Sequence, residues 1–133
     1  MAIIIDADVI IRSEKGGFDL SRWLVSQPDE VFEIAAVTVA ELWHGVERAT
    51  GARRVTRAAY LQNVIHSLPV ISYTEEIACE HARIWARLQA AGKMIGDYDL
   101  IVAATAMSRG CSVATLNTRH FKQVPGLKVI TPV

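Results

Sequence analysis

Ala2-Ile3-Ile4-Ile5-Asp6-Ala7-Asp8, at the start of the chain, and Asp97-Tyr98-Asp99-Leu100-Ile101-Val102-Ala103-Ala104, late in it, decide the fold. The isoleucine run predicts a strand buried on both faces, as strands are in a parallel sheet. The second stretch, apolar nearly all round and rich in alanine, predicts a helix pressed close to such a sheet. Each apolar run lies beside a pair of acids, so four of the six aspartates stand at the ends of core elements. Two carboxylates about 4 Å apart repel by roughly 4 kcal/mol at an effective dielectric near 20, which is costly unless a cation neutralises them. A divalent-metal site is therefore the first expectation.

Working outward, strands and helices alternate. The strand Ala2–Ile5 leads to a Gly16-Gly17 break, a short helix near Phe18–Ser26 and a Pro28-Asp29 turn. A second strand covers Val31–Val37, followed by helices at Val39–Ala49 and, beyond Gly51, Arg53–Ser67. A third strand is expected at Pro69–Ser72. A long helix at Glu75–Ala91 stops at Gly92, with Ile77, His81, Ile84, Trp85 and Leu88 on one stripe. The helix Asp97–Ser108, a strand at Ser112–Leu116, a helical turn near His120 and a strand at Leu127–Ile130 complete the chain. No repeat or linker interrupts this order, and 133 residues suffice for a single domain, 1–133, with its own core.

Composition narrows the function classes. A hydrophobic fraction of 51% with mean hydropathy +0.24 is high, yet no apolar stretch approaches the ~18 residues of a membrane span, so no membrane role is expected. Part of that excess suits an oligomer or partner interface. Cys79 and Cys111 lack metal-like spacing and are expected to be buried thiols of a reducing, cytoplasmic compartment. No secretion leader is expected, because Met1-Ala2-Ile3 goes directly into a strand without a basic segment, apolar region and cleavage site. The formal net charge is zero. Setting aside Asp6, Asp8, Glu41, Asp97 and Asp99 leaves nine acids against 14 Lys and Arg, an excess of +5. An acidic pocket in a basic surface suits a metal-dependent enzyme acting on a polyanion.

In open α/β sheets ligands bind beyond the carboxyl ends of the strands. Asp6 and Asp8 follow the first strand, Thr38 and Glu41 the second, and Asn117 the strand ending at Leu116. Asp97 and Asp99 open the helix leading into that same strand. Carboxylates and an amide make a hard oxygen donor set suited to Mg²⁺ or Mn²⁺, and no His or Cys near these positions points to zinc. The expected substrate is a phosphate ester. Asp6-Ala7-Asp8-Val9 also resembles the first motif of haloacid-dehalogenase-type phosphatases, but the Lys that follows a Ser/Thr-ended strand in that family is missing. A response-regulator receiver would need an Asp after its third strand, where Ser72-Tyr73-Thr74 stands.

The full set of motifs resembles the PIN domain, in particular the VapC-type toxin ribonucleases of toxin–antitoxin pairs. It is carried by Ile4-Ile5-Asp6-Ala7-Asp8-Val9-Ile10, Thr38-Val39-Ala40-Glu41-Leu42-Trp43-His44-Gly45, Asp99-Leu100-Ile101-Val102-Ala103-Ala104-Thr105-Ala106, Ala114-Thr115-Leu116-Asn117-Thr118-Arg119-His120-Phe121 and Val124-Pro125-Gly126-Leu127. The resemblance spans essentially the whole chain. It implies an α/β, three-layer sandwich with a mostly parallel sheet flanked by helices on both faces. It also implies a Mg²⁺-dependent endoribonuclease, with Mn²⁺ as substitute, acting through metal-activated water and leaving 5′-phosphate and 3′-hydroxyl ends. Asp6, Glu41 and Asp99 would hold the metal; Asn117, where many relatives carry Asp, would orient a water. Relatives bind a small antitoxin and pair as homodimers. Two departures are Asp8, where relatives often have Asn or Ser, and Asn117 itself.

Local chemistry offers simpler readings for some of these residues. Thr38 fits the N-cap of a capping box with Glu41, and Asp97 fits the N-cap of a helix starting at Tyr98. Whether Asp8 and Asp97 join the metal stays open. His44, His66 and His81, and Trp23, Trp43 and Trp85, are expected in packing, surface or interface roles. Arg48, Arg53, Arg54 and Arg57 read as a solvated helical surface, and Arg12, Lys15 and Arg119 as the cations best placed for RNA. The competing functions are a non-catalytic PIN-fold module binding RNA or protein, and a small metal-dependent phosphatase.

Overall fold

The computed structural model describes residues 1–133 as a single five-stranded sheet in the order β3-β2-β1-β4-β5, with every pairing parallel. The strands are β1 (Ala2–Ile5), β2 (Val31–Ala35), β3 (Val70–Ile71), β4 (Ser112–Ala114) and β5 (Val129–Ile130). The helices are α1 (Ala7–Glu14), α2 (Leu20–Val25), α3 (Ala36–Arg48), α4 (Gly51–Ser67), α5 (Glu75–Ala90), α6 (Asp97–Arg109) and α7 (Thr118–Phe121).

Alternation along the strands sends side chains into two cores, which is why the central strands read as unbroken apolar runs. Ile4, Ala35 and Val113 join Ile84, Leu88, Leu100 and Phe121 on one face. Ile3, Ile5, Ile34 and Ala114 join Val9, Ile10, Trp23, Leu42 and Leu61 on the other. This is the expected three-layer α/β sandwich. The chain builds β1, β2 and β3 in one direction, then crosses back to lay β4 and β5 on the far side of β1. The order therefore reverses between β1 and β4, and the crevice beyond their carboxyl ends is where such a fold takes ligands.

Several boundaries differ from the sequence expectation, and each has a local cause. Helix α1 starts directly after β1, because Asp6 caps it through a bond from the Ala7 amide; no helix was expected before Gly16. Strand β2 ends at Ala35 and α3 begins at Ala36, so Thr38 lies inside the first turn rather than at the N-cap, which is Ala35. Asp97 is likewise the first residue of α6 with Gly96 as its N-cap, so it caps nothing. Cys111 is buried as expected, but Cys79 is exposed on α5. Trp85 faces solvent at 50% exposure, stacked on His81. No helix is long and apolar enough to cross a membrane.

Candidate active site

At the β1–β4 reversal, three short segments meet. Hydrogen bonding of the Asp6 amide to the Ala114 carbonyl, at 2.9 Å, fixes the end of β1 beside the end of β4. Asp6 is only 5% exposed; its Oδ1 accepts from the Ala7 amide at 2.9 Å and its Oδ2 from the Thr115 hydroxyl at 2.9 Å. Asp8, the second residue of α1, accepts through Oδ2 from the Leu116 amide at 3.1 Å and lies 3.2 Å from the same Thr115 hydroxyl. Thr115 thus shares one proton between two carboxylates, while its oxygen accepts from the Asn117 amide at 3.0 Å. The α1 N-terminus adds a favourable dipole beneath both acids.

Helices α3 and α6 bring the other two acids. Glu41, one turn after the wholly buried Thr38, has a buried Oε1 with no hydrogen-bond partner, and the Thr38 hydroxyl is likewise unpartnered. Asp99, in the first turn of α6, is met by His120 of α7: Nδ1 lies 3.1 Å from Asp99 Oδ2 and 3.0 Å from the Asn117 side-chain nitrogen. To bond the carboxylate, Nδ1 must carry the proton, which leaves the Asn117 amide to turn its oxygen toward it. The expectation that no histidine adjoins the acids is corrected here, because the single turn of α7 folds His120 back over the start of α6. His120 and Thr115 are the site residues the sequence reading missed, although both lie in a stretch it singled out, on either side of Asn117.

Electrostatics show what this pocket lacks. Burial, then the Asp8 charge and more weakly that of Asp99, push the Asp6 carboxyl up to about 7, against the lowering bonds from Thr115 and Ala7. Burial, then Asp99 and Asp8, push Glu41 up to about 7 as well. Asp8 is raised by burial, with its bonds to Leu116 and Thr115 opposing. Four acids within reach of one another's charge, with no lysine or arginine paired to any of them, make a pocket short of positive charge. No three of them close around a common point as they stand. The donor set, all oxygen apart from His120, and the orphaned Glu41 oxygen fit a hard divalent cation.

Two clefts flank the acids. One, of about 400 Å³, is lined by Asp8, Ile11, Arg12, Lys15, Leu116 and Asn117. The other, of about 440 Å³, is lined by Glu41, Gly96, Asp97, Tyr98 and Asp99. The structure thus brings Asp6, Asp8, Glu41, Asp99 and Asn117 together and sets Asp97 on the rim. Arg12 and Lys15 border the site as expected; Arg119, though exposed nearby, lines neither cleft.

Known proteins share this arrangement of sequence and fold. The family described as PIN domain matches residues 3–127. Ribonuclease VapC1 of Rickettsia felis is 32% identical over 132 residues, covering 98% of this chain and 96% of that protein. The tRNA(fMet)-specific endonuclease VapC of Salmonella typhimurium is 33% identical over 96 residues, 72% of this chain and 71% of that one. Among solved structures, DNA-bound VapBC from Salmonella typhimurium superposes with a TM-score of 0.89 at 26% identity, covering 98% of both chains.

Proposed function

This chain belongs to the PIN-domain family, with VapC ribonucleases among its relatives, and we propose that it is a Mg²⁺-dependent endoribonuclease, the toxin of a toxin–antitoxin pair. The observation that carries the chemistry is the gathering of Asp6, Glu41 and Asp99 at the sheet reversal, where burial and neighbouring carboxylate charge push Asp6 and Glu41 up to about 7. Bound Mg²⁺, or Mn²⁺ in its place, would neutralise a phosphoryl oxygen and make water a stronger nucleophile near neutral pH. Asp6, Glu41 and Asp99 would hold the ion.

Around it, the chain's own residues position the reactants. Thr115 pins Asp6 and Asp8 in fixed rotamers, so their oxygens meet the pocket preorganised. His120 orients Asp99 and Asn117, and the Asn117 amide can direct the attacking water. Arg12 and Lys15 line the cleft beside Asp8 and would receive the flanking phosphate. A paired antitoxin is supported by the solved relative's being a VapBC complex. We also propose a homodimer, supported by the apolar excess and the exposed Trp85 of α5, acting in the cytoplasm where RNA and reduced thiols coexist.

The test is cleavage of single-stranded or looped RNA with Mg²⁺, abolished by EDTA and restored by Mg²⁺ or Mn²⁺, with 5′-phosphate ends on the products. Hydrolysis of small phosphomonoesters with RNA left intact would overturn the nuclease reading in favour of a phosphatase. RNA binding without cleavage would favour the non-catalytic module.

A further inference from the structure

The cleft at the α3–α4 junction lies outside the acid site and is built almost wholly of cations and backbone. It encloses about 310 Å³ and is lined by Gly45, Arg48, Ala49, Thr50, Arg53 and Arg57, with one hydrophobic residue among them. Arg57 is fixed in place: its Nε bonds Glu14 Oε2 at 2.9 Å and its Nη1 bonds the Gly45 carbonyl at 3.1 Å. Its Nη2 makes no hydrogen bond and sits where a Cβ on residue 45 would approach to 2.8 Å, so a glycine in mid-helix leaves room for the guanidinium. Arg48 and Arg53 have no acidic partner at all. Arg54 pairs with Glu47 and Arg57 with Glu14, so two positive charges remain uncompensated at the cleft. The first turn of α4 carries no acid, and its N-cap Thr50, which lines the cleft, makes no side-chain capping bond.

We propose that this cleft binds a backbone phosphate of the RNA substrate, held by Arg48 and Arg53 with Arg57 as a fixed third donor. The inference rests on the nuclease reading above. Planar guanidinium groups with free donors match phosphate oxygens in paired bonds. Position favours a polyphosphate chain over an isolated anion: Glu41, Gly45 and Arg48 are spaced four and seven residues along α3, on one stripe of the helix. The cleft therefore stands about 10.5 Å along the helix axis from an acid of the site, within reach of the same extended strand. An acidic protein partner fits less well, because interface cores need apolar surface and the cleft offers Ala49 alone.

The experiment measures binding of a fluorescein-labelled single-stranded RNA oligonucleotide by anisotropy, in EDTA, across a salt series. Wild type is compared with Arg48→Ala/Arg53→Ala, with the charge-keeping Arg48→Lys/Arg53→Lys, and with Arg22→Ala/Lys128→Ala as a charge-matched control away from the cleft. Loss of one phosphate contact lowers the log–log salt slope of the alanine double variant by about 0.7 and weakens binding about tenfold at low salt. The lysine variant keeps the slope with weaker affinity, and the control keeps both. Melting curves verify that each variant is folded. Equal slopes in wild type and the alanine variant overturn the proposal. So does binding of inorganic phosphate that depends on Arg48 and Arg53 while RNA affinity does not, since the cleft would then hold a free anion. The nuclease reading fails separately, by wild type binding RNA in Mg²⁺ without cutting it.

Discussion

A single hydroxyl, on Thr115, separates the two carboxylates of the N-terminal acid pair, and it is wholly buried. Thr115→Val removes the shared donor and leaves the Asn117 amide without its acceptor, so unfolding in urea should show a loss of about 1.5–3 kcal/mol. Thr38→Val is the contrasting case: its hydroxyl is buried without a partner, so the isosteric change should leave stability equal or higher. Asp99→Asn should abolish RNA cleavage with the fold intact, whereas Asp97→Asn should retain most of it, because Asp97 is exposed and bonds nothing. Comparable loss from both would mean that the rim acid serves the chemistry too. At this scale the acids were legible in the sequence, since charge beside an apolar run is conspicuous. Thr115 and His120 were not, because a hydroxyl and an imidazole carry no such signal until a turn brings them against a carboxylate. Glu33 was missed for a related reason: a mid-strand acid, 6% exposed, is tolerable only through its bond to Arg109, 76 residues away.

Helix α4 is attached more lightly than its 17 residues suggest. Leu61 is its one fully buried side chain, aided by half-buried Tyr60, Val64 and Ile65 and by the Arg57–Glu14 pair to α1. Leu61→Ala should therefore cost about 2–5 kcal/mol, as for other buried leucines, read as a lower urea midpoint. Residues 51–56 are all exposed, and their amides should exchange with deuterium well before those of α6, whose interior is buried from Val102 to Ala106. Sequence periodicity gave away α5 and α6 to within a residue or two, because glycines stop them. It failed at α1 and at the start of α3. In both places a helix follows its strand with no turn residue between, so Ala36-Val37 reads as the end of the second strand and Val9-Ile10-Ile11 is assigned to no element. Those two junctions are also where Asp6 and Glu41 are aimed, so the boundaries hardest to read from sequence are the ones that shape the site.

Across the whole molecule, zero net charge conceals a pocket that repels itself, and pH should expose it. The Asp6 carboxyl stands at about 7 in the folded protein against an ordinary value of 3.8, and Glu41 at about 7 against 4.5. Between those limits the folded state binds more protons than the unfolded one, so stability falls as pH rises, the reverse of an acid held by a cationic partner. The stabilisation relative to ionised acids is complete below the unfolded values and is lost as pH climbs through about 7. In EDTA, the difference in melting temperature between Asp6→Asn and wild type should be small at pH 5 and should widen in favour of the variant by pH 8. Asn keeps the α1 cap, so the comparison isolates charge rather than capping. Saturating Mg²⁺ should narrow or reverse the gap, because a cation stabilises only the intact set of carboxylates. A variant that melts lower than wild type in EDTA at both pH values would show that the Asp6 charge serves the fold through Ala7 and Thr115, and the cation-seeking pocket would lose its physical basis.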